Sequence, residues 1–408
     1  MLFGEVCGLD RRLGLEISSQ AIVVGASTAG LYAARLLAEG GVPVLLLDQA
    51  ERPELPARTL IVTSRLRGIL DVVAEESIVN RTPGVQMFAP STSVAIRLRE
   101  PDLIVERATL IRLLMREAVA AGVEFVPGHR FVGLEPDGDA ICVLAESPTG
   151  RQVRLRTRVL VGADGAFSPV ARAAGLDTRP TVFNLQAAVN MPRAADAGVT
   201  QVWFEPELTR YFLWLIPESR ERAVVGLIAD DRQQAHSSLA RFLAAHGLEP
   251  SGYQEAPVPM YTGKGLSWRN YSRARVLLVG DAAAHVKVTT VGGLVTGLRG
   301  AQAAAQAVLR GTGYGRQLNG LRRELDSHLW IRAVLNRFGP SEYDELLRLL
   351  SPRTIKVLAS RTRDEAVRVL ALSLLTQPAF AGLAARCLLG IHSASRKRAL
   401  ASSAPRGL

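Results

Sequence analysis

Cysteine is nearly absent from this chain: 408 residues contain three, Cys7, Cys142 and Cys387, far apart and without the spacing of metal ligands. That excludes a disulfide-stapled secreted domain and a zinc module, and it makes a reducing cytoplasm the expected compartment. The six histidines do not cluster either, so no metal site is expected. Long apolar runs are missing as well. The longest candidate, Val369 to Ala385, falls short of the ~18 residues of a spanning helix and is broken by Gln377-Pro378. Met1 to Gln20 carries charges throughout, which argues against a secretory signal. There is no internal repeat, and no low-complexity segment before the final Ser/Ala/Arg tail.

Acidic residues are outnumbered, 38 against 49 basic ones, for a net charge of +11 and a pI near 10.2. The basic residues are overwhelmingly dispersed arginines, and no nucleic-acid motif accompanies them, so nucleic acid is not an expected partner. The stretch around Leu370 to Leu389, followed by Arg396-Lys397-Arg398, is a candidate for peripheral contact with an anionic membrane, at its inner face. With 48% hydrophobic residues the chain can bury a large core and form two or three structural units.

Three dispersed segments carry chemistry. In Ala21-Ile-Val-Val-Gly25-Ala26-Ser27-Thr-Ala29-Gly30, a buried strand runs into a glycine turn and a helix. Gly25 suits the tight turn, Gly30 permits close helix packing, and Ser27 in place of the middle glycine still leaves room for a diphosphate. The next strand ends in Asp48, 23 positions after Gly25, where a ribose-binding carboxylate is required. The second segment, Arg158 to Arg172, is again a strand, entering Asp164-Gly165. The third is Arg275-Val-Leu-Leu-Val-Gly280-Asp281, followed by Gly292-Gly293 at the start of a helix from Leu294. Its backbone amides and dipole favour a phosphorylated or flat ligand.

Together with Arg107 near the start of an amphipathic helix, this set resembles the FAD-dependent group that includes aromatic hydroxylases and geranylgeranyl reductases. Two details place the likeness with the geranylgeranyl reductase family. The run Gly280 to Leu294 is similar to that family's third motif, with Val288 at the proline position and Val291 at the first glycine. Tyr211-Phe212-Leu213-Trp214-Leu215-Ile216-Pro217 is similar to its Tyr-x-Trp-x-Phe-Pro signature. One departure is plain: where the family carries a cysteine after the second strand, Glu54 to Ser64 has none.

The resemblance implies a Rossmann-like FAD-binding domain interleaved with an antiparallel-sheet substrate domain, an α/β fold with C-terminal helices. The expected segments are 1–19 as an extension, 20–59, 99–180 and 268–317 for FAD, 60–98 and 181–267 for the substrate sheet that would roof the flavin, 318–395 as helices, and 396–408 as a basic tail. It further implies that Gly25, Ala26, Ser27, Ala29, Gly30, Asp48, Arg107, Val132, Asp164, Gly280, Asp281, Gly292, Gly293 and Leu294 contact FAD, with Val132 at the adenine. Tyr211, Phe212 and Trp214 are the expected substrate contacts and His285 the catalytic candidate. The implied activity is reduction of C=C bonds in an isoprenoid or other apolar substrate, with NAD(P)H or ferredoxin as electron donor. Two alternatives stay open: a monooxygenase acting on an aromatic or polyketide-like substrate, and a non-catalytic flavin-binding protein.

Overall fold

The computed structural model describes residues 17–51, 58–176, 179–365 and 377–390. The chain divides into two units. The first draws on Met1–Ile78, Val105–Val182 and Pro257–Asp326, and the second on Val79–Ile104, Phe183–Ala256 and Ser327–Leu408.

The first unit is organised by β1 (Ile17–Val24), which forms parallel ladders with β2 (Val44–Leu47) on one side and β9 (Gln152–Gly162) on the other. The sheet extends from β2 to β6 (Glu124–Val126), and from β9 to β16 (Ala274–Leu278), which pairs antiparallel with β15 (Trp268–Tyr271). Burial on both faces explains the continuous apolar runs Ala21 to Val24 in β1, Val44 to Leu47 in β2 and Val276 to Leu278 in β16. The early part of β9 also accepts an antiparallel hairpin, β7 (Arg130–Asp137) and β8 (Ala140–Glu146). One face carries the cluster of Ile22, Val24, Leu45, Leu160, Val276 and Leu278. The helix Thr28–Glu39 buries Leu31, Ala33, Ala34 and Leu37 and packs against the helices Arg107–Ala120 and Leu294–Leu309.

The second unit is built on β4 (Ile78–Phe88), β5 (Ser93–Glu106), β10 (Thr181–Asn190), β11 (Val199–Trp203), β12 (Leu213–Pro217), β13 (Arg222–Ala229) and β14 (Pro250–Pro259), in the order β14-β10-β13-β12-β11-β4-β5. The ladders β10/β13, β13/β12 and β12/β11 are antiparallel, while β11 and β4 run parallel. The helix Arg232–Ala245 lies on β13 and seals a core of Leu185, Leu213, Leu227 and Phe242. Among the described C-terminal helices, Pro340–Arg348 is joined to Ala379–Leu388 by the Glu345–Arg386 ion pair. Asp344 accepts from the amide and hydroxyl of Ser91 at 2.8 and 2.7 Å.

Interleaving is thus present, but the crossovers fall elsewhere than expected. The sequence placed residues 60–98 in the substrate sheet, whereas the stretch 64–77 is helical and lies in the first unit. The physical reason is local: Ser64–Leu66, Arg67–Leu70 and Val72–Ser77 form short helices instead of alternating strands. The later crossovers come at 104/105, 182/183, 256/257 and 326/327. The Arg396–Arg398 cluster and the start of the Val369–Ala385 run lie outside the described residues.

Candidate functional site

The three sequence motifs converge inside the first unit through contacts that only small residues permit. Gly25 follows β1 at φ +104°, donates its amide to the Leu47 carbonyl at 2.8 Å, and sits where a Cβ would lie 2.5 Å from the Ala163 oxygen. A Cβ on Gly30 would lie 2.1 Å from the Gly25 oxygen and 2.8 Å from the Ala163 side chain. The glycine turn therefore rests directly on the strand end that leads to Asp164. Gly280, at φ +60°, abuts Ala29 in the first turn of the helix Thr28–Glu39, since a Cβ would come within 2.9 Å of it. The Gly280-Asp281 corner is thus brought beside the positive end of that helix.

The polar groups around this junction fall into two kinds. Ser27 caps the helix by accepting from the Gly30 amide at 3.2 Å. Asp48 accepts from the amides of Ala26 at 2.6 Å and Ala50 at 2.9 Å, tying the turn to the end of β2. Asp164 accepts from the Ser168 hydroxyl at 2.6 Å and the Val170 amide at 2.8 Å, so both its oxygens organise the next helix; burial pushes its pKa up, against these bonds. These carboxylates shape the site with protein partners in place.

Asp281 differs. Its side chain is solvent-accessible although surrounded by protein, so it faces a concavity. Burial raises its pKa, opposed by the positive charges of Arg58 and Arg107. Its Oδ1 lies 3.4 Å from where a Cβ of Gly293 would be, at the N-cap of the helix Leu294–Leu309. Arg107 is lowered by burial and held up by Asp281 and Glu106. Arg58 is lowered to about 10 by burial and by Arg107, with Asp281 opposing. Among the described residues, no hydrogen bond or ion pair is made by the side chains of Arg58, Arg107 or Asp281. Two guanidinium groups and one carboxylate converge there with donors and acceptor unspent, as an anionic ligand bearing hydroxyls requires. The residues present fit FAD.

The loop after Asp281 is tightly closed. Lys287 donates its amide to the Gly292 carbonyl at 3.1 Å, and Val291 donates to the Lys287 carbonyl at 2.7 Å. Val291 stands at φ +51°, a left-handed conformation that β-branched residues avoid. His285 is buried, its Nδ1 finds no partner among the described residues, and its ring is pressed against Gly300. Burial, then the charge of Arg179, lowers its pKa to about 3, so the ring is neutral. Val132 is exposed, at a register irregularity in β7 between Phe131 and Gly133, beside a cavity it shares with Arg130, Pro169 and Arg172.

The expected substrate contacts lie in the second unit. Tyr211 is buried, its hydroxyl accepts from Arg210 at 3.2 Å, and the Arg332 guanidinium lies 4.8 Å from its ring centre. Trp214 is buried in β12 with its indole N–H unpartnered among the described residues, and its ring lies 5.7 Å from that of Phe212. Of the three, only Phe212 is partly accessible. The same unit holds a cavity of about 600 Å³ lined by Phe88, Trp203, Phe204, Glu205, Phe242 and His246.

Sequence reasoning missed Arg58 and the part played by Glu106. Glu106 caps the helix Arg107–Ala120 through the amides of Ala108 at 2.9 Å and Thr109 at 2.6 Å, and also accepts from the Arg58 backbone. The cap was readable from an acid before an amphipathic run. Arg58 carries no local signal, because only the folded chain brings it to Asp281.

The chain is 27% identical to digeranylgeranylglycerophospholipid reductase 1 of Methanothermobacter thermautotrophicus over 353 residues, 80% of this chain and 88% of that protein. In structure it is similar to a geranylgeranyl bacteriochlorophyll reductase-like protein of Thermoplasma acidophilum, with a TM-score of 0.72, 19% identity, and coverage of 88% of this chain and 96% of the other. It is also similar to an anhydrotetracycline hydroxylase of Streptomyces rimosus, with a TM-score of 0.61, 22% identity, and coverage of 88% and 76%. At these identities the two structural likenesses show a shared fold. The resemblance to geranylgeranyl reductases read from the motifs is borne out. Residues 18–328, most of the chain, match the family model for an FAD binding domain, and the chain belongs to that family of FAD-dependent oxidoreductases.

Proposed function

We propose that this protein reduces carbon–carbon double bonds of a prenyl lipid. The observation that carries the reading is the likeness, over four-fifths of the chain, to a reductase whose name specifies a digeranylgeranyl phospholipid. Reduced FAD, when bound, supplies the hydride for one alkene carbon. The Gly25–Gly30 turn, Arg107, Asp281 and the Gly292-Gly293 corner hold the dinucleotide. Phe212, the partly accessible one of Tyr211, Phe212 and Trp214, offers the substrate an apolar contact. His285, kept neutral, has no imidazolium proton to give, and an acid or water supplies the proton to the second alkene carbon. The electron donor in this reading is NAD(P)H or ferredoxin, and the protein meets its lipid at an anionic membrane surface.

Product mass tests the proposal. Anaerobic turnover of a prenyl phospholipid with chemically reduced protein is expected to add two hydrogens per double bond. Addition of one oxygen under air, with no saturation under either condition, would move the assignment to the hydroxylases that share the scaffold.

A further inference from the structure

Arg58 occupies the stretch in which the family resemblance calls for a thiol, and the structure puts a fixed cation there. Its backbone is locked in both directions: its carbonyl accepts from the Arg107 amide at 2.9 Å, and its amide donates to the Glu106 carboxylate. Glu106 is itself held by the first two amides of its helix. The backbones of Arg58 and Arg107 are thereby held together at one helix start, and the charge of Arg107 helps to lower the pKa of Arg58. The one carboxylate that both of them face is Asp281. Glu106 also offsets the charge of Arg107, but its oxygens are taken by backbone amides, and among the described residues the side chains of Arg58, Arg107 and Asp281 are not hydrogen-bonded. Asp281 also lies one residue after Gly280, which touches Ala29 in the first turn of the helix that opens the glycine motif. The unspent guanidinium donors therefore adjoin the helix end where a diphosphate is favoured.

We infer that Arg58 is a second cationic clamp, with Arg107, on the diphosphate of FAD, and that it makes the site select the dinucleotide over flavins lacking a diphosphate. The inference rests on the FAD assignment above. Arginine suits the task because its planar fork meets two phosphate oxygens at once and stays charged even with its pKa lowered to about 10.

The test uses apoprotein of the wild type, Arg58→Gln and Arg58→Lys, titrated with FAD and with riboflavin by flavin fluorescence at low and high salt. In Arg58→Gln the FAD affinity is expected to fall about tenfold or more, equivalent to about 1.4 kcal/mol, with a shallower salt dependence. Riboflavin binding should stay unchanged. Arg58→Lys, which keeps the charge but loses the fork, should bind FAD between the two and retain the wild-type salt slope. FAD affinity within about twofold of wild type in Arg58→Gln, or equal weakening of FAD and riboflavin, overturns the inference. If the Gln variant fails to fold by circular dichroism, the Lys variant decides alone: wild-type riboflavin affinity with weakened FAD supports the clamp, and any other pattern refutes it. A wild type that binds no FAD overturns the cofactor assignment as well, so the two failures are distinguishable.

Discussion

The imidazole of His285 fills the space that a side chain on Gly300 would need: a Cβ there would lie 2.0 Å from Nδ1 and 2.4 Å from Cε1. Gly300 is mid-helix in Leu294–Leu309, so alanine would suit its backbone and gain about 1 kcal/mol of helix propensity. The forced displacement of a buried ring costs about 1–3 kcal/mol and outweighs that gain. Gly300→Ala is expected to destabilise the protein in urea unfolding. Gly320→Ala, in a helix with nothing within 4 Å of the added Cβ, should stabilise it by about 0.4–1 kcal/mol. Shifts of the same sign would refute the steric account.

His285 also sets part of the acid sensitivity. With its pKa lowered to about 3 by burial and Arg179, the folded chain leaves the ring neutral where the unfolded chain, with an ordinary pKa of about 6.5, takes up a proton. The unfolded state thus binds more protons between those two values. Stability from this group is complete above about pH 6.5 and is lost progressively as pH falls toward 3, by at most about 1.4 kcal/mol per pH unit. His285→Asn should flatten the acid limb of the stability–pH curve by roughly that slope. Chemical denaturation at a series of pH values measures it, and an unchanged limb would sink the argument.

Asp281 meets no protein hydrogen-bond donor among the described residues, so its hydrogen-bonding capacity is expected to serve the ligand. Asp281→Ala should weaken FAD by about 1–3 kcal/mol, the range for a buried partner left unpaired, while the apoprotein loses little stability. Unchanged FAD affinity would count against the placement of this motif.

Much of the first unit was legible because its signals are local. Strand, glycine turn, helix and acid follow one another from Ala21 to Asp48, and each obeys a short-range steric or hydrogen-bonding rule. The interleaving was legible through the motif order together with the family resemblance that the motifs carry. The helical stretch Ser64–Ser77 could not, since its short apolar runs suit strand and helix alike. Arg58 was invisible for a different reason: its meaning lies in a charge 223 positions away at Asp281, and no periodicity encodes that pairing. Val291 lies between these cases. It stands at a family glycine position, and the backbone there is left-handed, at φ +51°, despite the β-branched side chain.

Trp214 separates packing from substrate contact. It is buried in β12, and its indole lies where a Cβ on Gly226 would come within 2.7 Å of Cζ2. Trp214→Ala should cost about 3–5 kcal/mol if the ring serves the core alone. Trp214→Phe, which deletes the unpartnered N–H while keeping an aromatic ring, should cost much less. A substrate role adds a further signature: lower turnover of a prenyl lipid per folded Trp214→Phe molecule, with FAD still bound. Normal turnover per folded molecule would remove Trp214 from the site.

The C-terminal region sets the last expectation. No helix among the described residues is long and apolar enough to cross a membrane. The helix Ala379–Leu388 nevertheless leaves Ala381, Ala385 and Leu388 exposed, followed by Leu389 at 74% exposure. Apolar side chains facing outward, on a chain of net charge +11 with a basic Arg396-Lys397-Arg398 cluster following in sequence, suit the headgroup region of an anionic bilayer. Electrostatic attraction of about 1 kcal/mol per basic residue fades within a Debye length. Co-sedimentation should therefore show binding to anionic vesicles at low salt, weaker binding at high salt, and little on neutral vesicles. Leu388→Asp combined with Leu389→Asp should reduce the anionic binding without altering FAD affinity, because these residues lie in the second unit and every FAD contact assigned above lies in the first. Equal, negligible binding to both vesicle types at low salt would leave the exposed leucines and the excess positive charge without a membrane role.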